Sequence, residues 1–147
     1  MKNLFFFLLI LLLTKISVAQ KVELVIPSGH SGGVTDMSFS GDKKLMCTSG
    51  SDGSVILWDA QSGLQIKQFQ LIKKGEANCT AFSNDGKFIA AGAENIVAVI
   101  DAQNITLLDS FHIEGKNTAV AFTPDNKYLL SCGWKGKVTV WRMSDRK

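Results

Sequence analysis

A turn-and-strand pattern that recurs three times is the feature that most constrains how this chain can fold. Residues 38–43 read Ser-Phe-Ser-Gly-Asp-Lys, and closely similar stretches return at 81–87 and 121–127. The phenylalanines of these stretches are 43 and 40 residues apart. A period of roughly 40 to 45 residues indicates repeated supersecondary units, each of which buries its apolar faces against its neighbours.

The best-formed unit contains a polar turn that leads into an apolar strand. Residues 50–59 read Gly-Ser-Asp-Gly-Ser-Val-Ile-Leu-Trp-Asp. Gly53 tolerates the positive φ that a tight hairpin turn requires, and the β-branched residues that follow suit a pleated strand. No segment after residue 19 has the spacing of an amphipathic helix. The sequence therefore predicts an all-β chain of short antiparallel hairpins.

The first unit begins at a Gly-His pair and ends at a Trp-Asp pair, and the two later units keep only part of that ending. The frame runs from Gly29-His30 to Trp58-Asp59, and weaker endings follow at Ile100-Asp101 and Trp141-Arg142. With these motifs, residues 22–142 resemble the WD-repeat β-propeller family. The resemblance implies blades of four antiparallel strands, here three blades in repeats at about 29–69, 73–111 and 113–142.

The resemblance also implies a buried hydrogen-bonded set of side chains in the first repeat. By position its members are His30, Thr48, Asp52 and Trp58. We expect a structural role for this set, since a catalytic triad requires an exposed nucleophile and an oxyanion site. The same positions hold different residues in the second repeat (Lys73, Ala91, Glu94, Ile100) and in the third (Ile113, Ser131, Lys135, Trp141). Only the first repeat can form the whole set.

Three blades are fewer than the roughly four to eight with which propellers usually close. Five residues follow Arg142, so we expect the third repeat to lack its outermost strand, whereas residues 22–26 form a spare strand at the front. In this family a front strand of that kind closes the last blade. The chain is therefore expected to be part of a longer protein, to assemble as a two-chain, six-bladed ring, or to close on itself. We expect that residues 20–147 alone do not form a stable monomer.

The first nineteen residues have the pattern of a secretory signal peptide. Lys2 precedes an apolar run at 4–13, and the small residues Ser17-Val18-Ala19 end the segment. A run of ten residues is too short to span a hydrocarbon core of about 30 Å as a helix. Lys15 weakens the alternative of a permanent anchor. We expect cleavage after Ala19, a secreted or periplasmic product, and no stable membrane insertion afterwards.

Charge and cysteine content exclude several other functions. Removing residues 1–19 lowers the formal net charge from +3 to +1, and no Lys/Arg cluster remains to neutralise phosphates, so nucleic acid is not expected as a partner. Cys47, Cys79 and Cys132 lie in apolar strand-like runs without a Cys-x-x-Cys motif, so we expect free, buried thiols. With two histidines in the chain, neither a metal site nor a cofactor is predicted.

The predicted function is noncatalytic recognition of another protein through the loops on one rim of the propeller. The strongest candidates are Lys73, Lys74, Glu94, Trp134 and Lys135, with Glu76, Asn95 and Glu114 beside them. Trp134 lies in a turn, where it is either exposed as a binding residue or packed on a neighbouring blade. Two alternatives remain open. One is a substrate-recruiting amino-terminal part of a longer secreted enzyme such as a peptidase or other hydrolase, and the other is small-ligand capture in a central channel.

Overall fold

The computed structural model describes residues 29–145, and these residues form β-sheet. The predicted signal peptide at 1–19 and the predicted front strand at 22–26 lie outside the described residues. Within the described part there are eleven strands in three antiparallel sheets and no helix, which confirms the all-β prediction. That part accordingly contains no helix long and apolar enough to cross a membrane.

The three sheets follow one another along the chain, and each corresponds to one predicted repeat. The first blade consists of β1 (Val34–Phe39), β2 (Leu45–Gly50), β3 (Ser54–Asp59) and β4 (Gln65–Gln70). The middle blade consists of β5 (Ala77–Phe82), β6 (Phe88–Ala93), β7 (Ile96–Asp101) and β8 (Thr106–His112). The third blade has three strands, β9 (Asn117–Phe122), β10 (Tyr128–Gly133) and β11 (Val138–Arg142). The two complete blades have the predicted four strands.

The recurring Ser-x-Asp turn connects the first two strands of every blade in the same way. In each turn a hydroxyl, from Ser40, Ser83 or Thr123, donates to the aspartate two residues later at 2.6–2.8 Å. The residue directly after that aspartate adopts a left-handed backbone in every blade; these residues are Lys43, Gly86 and Asn126. The sequence repeat is thus a repeat of turn chemistry.

Neighbouring blades pack face to face around their innermost strands, with β1 against β5 and β5 against β9. Cys47, Val55 and Leu57 of the first blade meet the middle blade in one apolar cluster. A second cluster joins Val97 and Val99 of the middle blade to the third blade. Both faces of the middle blade are therefore covered, and most residues of β6 and β7 are buried.

The two outer blades each leave an apolar face open. Met37 and Phe39 on β1 are 56% and 43% exposed, and Val138 and Val140 on β11 are 60% and 52% exposed. Among the described residues, extensive packing joins the first blade to the middle and the middle to the third, but not the third to the first. The described chain is thus an arc of an incomplete propeller.

The three cysteines are free among the described residues, but they are not equally buried. Cys47 and Cys79 lie in the clusters between blades, and burial raises the pKa of their thiols to about 12 and about 11. Cys132 is only half-buried, less than the sequence led us to expect. It pairs with Val138 across β10 and β11. Its exposure follows from the open face of the third blade.

Candidate functional site

The four polar residues singled out in the first repeat lie next to one another in a continuous chain of hydrogen bonds. Trp58 Nε1 donates to Thr48 Oγ1 at 2.8 Å, and Thr48 Oγ1 lies 2.9 Å from His30 Nε2. On the other side of the ring, His30 Nδ1 lies 3.0 Å from Asp52 Oδ1. If Thr48 donates to Nε2 and Nδ1–H donates to Asp52, every donor in this chain has an acceptor.

The carboxylate of Asp52 ends the chain and also holds its own turn. Ser54 donates to Asp52 Oδ1 from its backbone N at 3.0 Å and from its hydroxyl at 2.7 Å, and Ser31 N donates to Oδ2 at 2.8 Å. Desolvation acts to raise the pKa of this carboxyl. The hydrogen bonds from Ser54, His30 and Ser31 outweigh it and hold the pKa of Asp52 well below its usual range.

This arrangement is suited to holding strands together rather than to chemistry on a substrate. The side chains of His30 and Asp52 are only 1% and 7% exposed, and Thr48 is 4% exposed as a whole. The Thr48 hydroxyl, which would be the nucleophile of a catalytic triad, already accepts a hydrogen bond from the indole N–H of Trp58 and contacts the imidazole of His30. A closed polar network of this kind fixes the position of the loop at His30 against β2 and β3.

The equivalent positions in the other two blades do not form such a network. In the middle blade the place of Thr48 is taken by Ala91, which is fully buried in apolar surroundings. In the third blade it is taken by Ser131, whose hydroxyl oxygen is buried and has no hydrogen-bond partner within residues 29–145. Trp141 of the same blade instead stacks on Phe111, with ring centroids 5.2 Å apart. These blades are held by apolar packing.

A second group of side chains lies on the loops at the same rim as His30, around Trp134. We call it the Trp134 face; it comprises Lys73, Lys74, Glu76, Glu94, Lys116, Trp134 and Lys135. Its centre is the turn between β10 and β11, where Gly136 has a φ of 70° and its N–H donates to Gly133 O at 3.0 Å. The backbone N of Trp134 donates to Lys116 O at 3.1 Å, which joins this turn to the preceding loop. The indole itself is 74% exposed.

Lys116 connects Trp134 to the acidic residues of the middle blade. Its Nζ lies 5.8 Å from the centroid of the Trp134 ring, 2.7 Å from Glu76 Oε2 and 3.8 Å from Glu94 Oε1. The hydrogen bond to Glu76 raises the pKa of Lys116 and outweighs the desolvation that acts to lower it. Next along the chain, Asn117 N donates to Glu94 O at 2.7 Å and fixes the loop in this position.

The remaining candidates take different places on the Trp134 face. Lys135 follows Trp134 in the same turn, and Lys73 and Lys74 lie in the loop between β4 and β5; all three are exposed. No ion pair involving these three lysines is present within residues 29–145. The structure therefore joins Glu94 to Trp134 through Lys116, and it leaves Lys73 and Lys74 in a neighbouring loop. Of these three lysines, Lys135 shares the turn of Trp134.

Lys116 is the member of this face that the sequence reasoning missed. It follows Gly115, which has a φ of 85°, in the loop that enters the innermost strand β9. Lys73 and Lys74 occupy the equivalent entry loop of the preceding blade, so the repeat pattern itself places Lys116 on the same rim. Elsewhere in the described part of the chain, no group of three or more His, Cys, Asp or Glu side chains is arranged to hold a metal ion.

Comparison with known proteins identifies the repeats. The family model described as "WD domain, G-beta repeat" matches residues 21–59 and 110–142. The middle blade lies outside both matches except for residues 110–112 at the end of β8. Its strands pair as those of the first blade do, but Ala91 and Ile100 replace the polar signature that the first repeat retains as Thr48 and Trp58.

Two curated relatives and one solved structure agree with that match. The chain is 29% identical over 106 residues to the small ribosomal subunit protein RACK1 of Candida albicans, covering 72% of this chain and 32% of the relative. It is 31% identical over 102 residues to the target of rapamycin complex subunit wat1 of Schizosaccharomyces pombe, covering 67% and 32%. The crystal structure of RRP9 WD40 repeats superposes with a TM-score of 0.76 at 23% identity, covering 82% of this chain and 38% of that one.

The chain spans about a third of the length of these two curated relatives. Within that span the family match falls on the first and third repeats, and the described residues form the successive antiparallel sheets of a propeller. The chain therefore belongs to the WD-repeat family of β-propeller proteins.

Proposed function

We propose that this chain is an exported, noncatalytic module that binds another protein through the Trp134 face. The observation that carries the proposal is the exposure of the Trp134 indole, 74% of which is open to solvent in a turn held on both sides by backbone hydrogen bonds. Trp is enriched among the few residues that dominate binding energy at protein interfaces. An indole held on a fixed turn loses little conformational freedom when a partner covers it.

The surroundings of Trp134 favour a partner surface that combines an apolar contact with negative charge. Lys116 lies near the ring while its own charge is neutralised by Glu76 and Glu94. Lys73, Lys74 and Lys135 add exposed positive charge on loops of the same rim. Complementary charge at the edge of an interface accelerates association and selects among partners more than it adds affinity.

The relatives support binding of a protein rather than catalysis. RACK1 is named as a protein of the small ribosomal subunit, and wat1 is named as a subunit of the target of rapamycin complex. Both names place those proteins in assemblies with other macromolecules. The present chain shares their repeat type and offers an exposed aromatic and cationic surface of its own.

The test is to isolate partners from the extracytoplasmic fraction of the native host on the immobilised full chain, and then to measure the affinity of each purified partner. Replacing Trp134 with Ala is expected to weaken binding about 30-fold, the loss that a hot-spot side chain worth about 2 kcal/mol produces. The matched control is Leu107→Ala, since Leu107 is 52% exposed on the outer strand β8, away from the face. Unchanged affinity of Trp134→Ala together with lower thermal stability would assign Trp134 a packing role instead.

Export is tested separately from binding. We expect the mature chain to begin at Gln20. Mass spectrometry of the product recovered outside the cytoplasm identifies its first residue directly. A product that retains residues 1–19 and remains with the membrane would support an anchored form.

A further inference from the structure

The Ser-x-Asp turns of the middle and third blades are joined to each other by two asparagine side chains. Asn84 N donates to Asn126 Oδ1 at 2.8 Å, and Asn84 Nδ2 donates to Pro124 O at 2.9 Å. Asn126 holds the left-handed position of its turn, with a φ of 58°. The carboxamide of Asn126 therefore gives a backbone N–H of the preceding blade its acceptor.

The equivalent contact is missing between the first and middle blades. Gly41 occupies the position of Asn84, and Gly86 occupies the position of Asn126. Because Gly86 has no side chain, Gly41 N has no acceptor in the described part of the chain, and its N–H is left to solvent. A Cβ on Gly86 would approach only Ser40 Cβ, at 3.9 Å. The space that a side chain would take at this position is therefore open.

A cavity of about 350 Å³ lies between these two turns, at the ends of the strands opposite to the Trp134 face. Its lining includes Gly41 and Gly86, the apolar residues Leu45 and Ala102, and the aspartates Asp42 and Asp85. Its volume is at the lower end of the roughly 300–1,000 Å³ that is usual for ligand sites. Both blades that form it are complete, so the cavity does not depend on the open faces of the arc.

We propose that this cavity binds a carboxamide side chain, of asparagine or glutamine, from a partner protein. The amide oxygen of the partner accepts the hydrogen bond of Gly41 N, as Asn126 Oδ1 accepts that of Asn84 N one blade further on. The amide nitrogen has two N–H donors, and the carboxylates of Asp42 and Asp85 are acceptors at the same cavity. A carboxylate ligand has no such donor and is repelled by the two aspartates.

The test is a titration of the full chain with N-acetylasparagine methylamide, followed by NMR through the backbone amide resonances. We expect a saturable shift of the Gly41 amide, because the probe carries the same carboxamide as Asn126. The matched probes are the corresponding derivatives of aspartate and alanine. Neither is expected to shift this amide, since the first is repelled and the second lacks the side-chain acceptor. A shift that rises linearly without saturating, or that is equal for all three probes, would overturn the proposal.

Two reciprocal variants close the site at one junction and open it at the other. Gly86→Asn supplies the missing side chain at a φ of 70°, which asparagine tolerates, and is expected to weaken binding of the asparagine probe at Gly41 at least about tenfold. Gly63→Asn is the control, because Gly63 has a φ of 73° in the turn between β3 and β4 and open space around it. Asn126→Gly is expected to create a second site that shifts the amide of Asn84. Full binding by Gly86→Asn, or a folded Asn126→Gly chain whose Asn84 amide does not respond, would contradict the proposal.

Discussion

At the scale of single residues, the polar set of the first blade depends on one hydroxyl. Thr48 Oγ1 is the atom that both Trp58 Nε1 and His30 Nε2 contact, at 2.8 Å and 2.9 Å. Its counterpart in the third blade, Ser131, has a buried hydroxyl without a partner in the described part of the chain. Two equivalent positions in one molecule therefore differ in whether their hydroxyl is hydrogen-bonded.

We predict that Thr48→Val lowers the free energy of unfolding by about 2 kcal/mol, because an indole N–H and an imidazole nitrogen lose their partner in a buried site while the side-chain volume hardly changes. Ser131→Ala is the matched control. It removes an unpartnered hydroxyl and is expected to change the free energy of unfolding by less than about 0.5 kcal/mol. Urea denaturation of both variants measures the difference, and equal losses would show that the network adds nothing to stability.

At the scale of elements, the recurring turn after the innermost strand tolerates different residues at its left-handed position. Gly86 and Asn126 hold it in the middle and third blades, with φ of 70° and 58°. Lys43 holds it in the first blade with a φ of 62°, and its Nζ lies 5.7 Å from the centroid of the Phe39 ring. Glycine and asparagine adopt the left-handed region at lower cost than lysine does.

Exchanging these residues tests the turn directly. We predict that Lys43→Gly raises the free energy of unfolding by about 0.5 kcal/mol and that Gly86→Lys lowers it by about 1 kcal/mol, since the backbone conformation stays the same and only its cost changes. Lys44→Gly serves as the control, because Lys44 is exposed at the neighbouring position and does not have a left-handed backbone. Its expected effect is a small loss. A gain from Lys44→Gly equal to that from Lys43→Gly would contradict the assignment.

The turns and strands were predictable from the sequence because their causes are local. A glycine or aspartate at a fixed place and an alternation of apolar residues specify a hairpin within about ten residues. The Trp134 face was predictable only in part, since the position of its indole depends on Lys116, Glu76 and Glu94 from three different loops. The lower burial of Cys132 likewise follows from the open face of the third blade. Interactions between distant segments leave no periodic signal in the sequence.

At the scale of the whole molecule, stability is expected to be uneven along the arc. The middle blade is covered on both faces, whereas each outer blade contributes one face to the interior and leaves one open. In repeat proteins, stability is approximately a sum of terms within repeats and between neighbours. A blade with two neighbours therefore opens at a higher free energy than a blade with one.

Hydrogen exchange measured by mass spectrometry tests this expectation. We predict that amides of β6 and β7 exchange slowest, because opening them breaks both contacts between blades. Amides of β2 and β10, the central strands of the outer blades, are expected to exchange faster. Equal protection of all three blades would mean that the arc unfolds as one cooperative unit, which would contradict the neighbour-based argument.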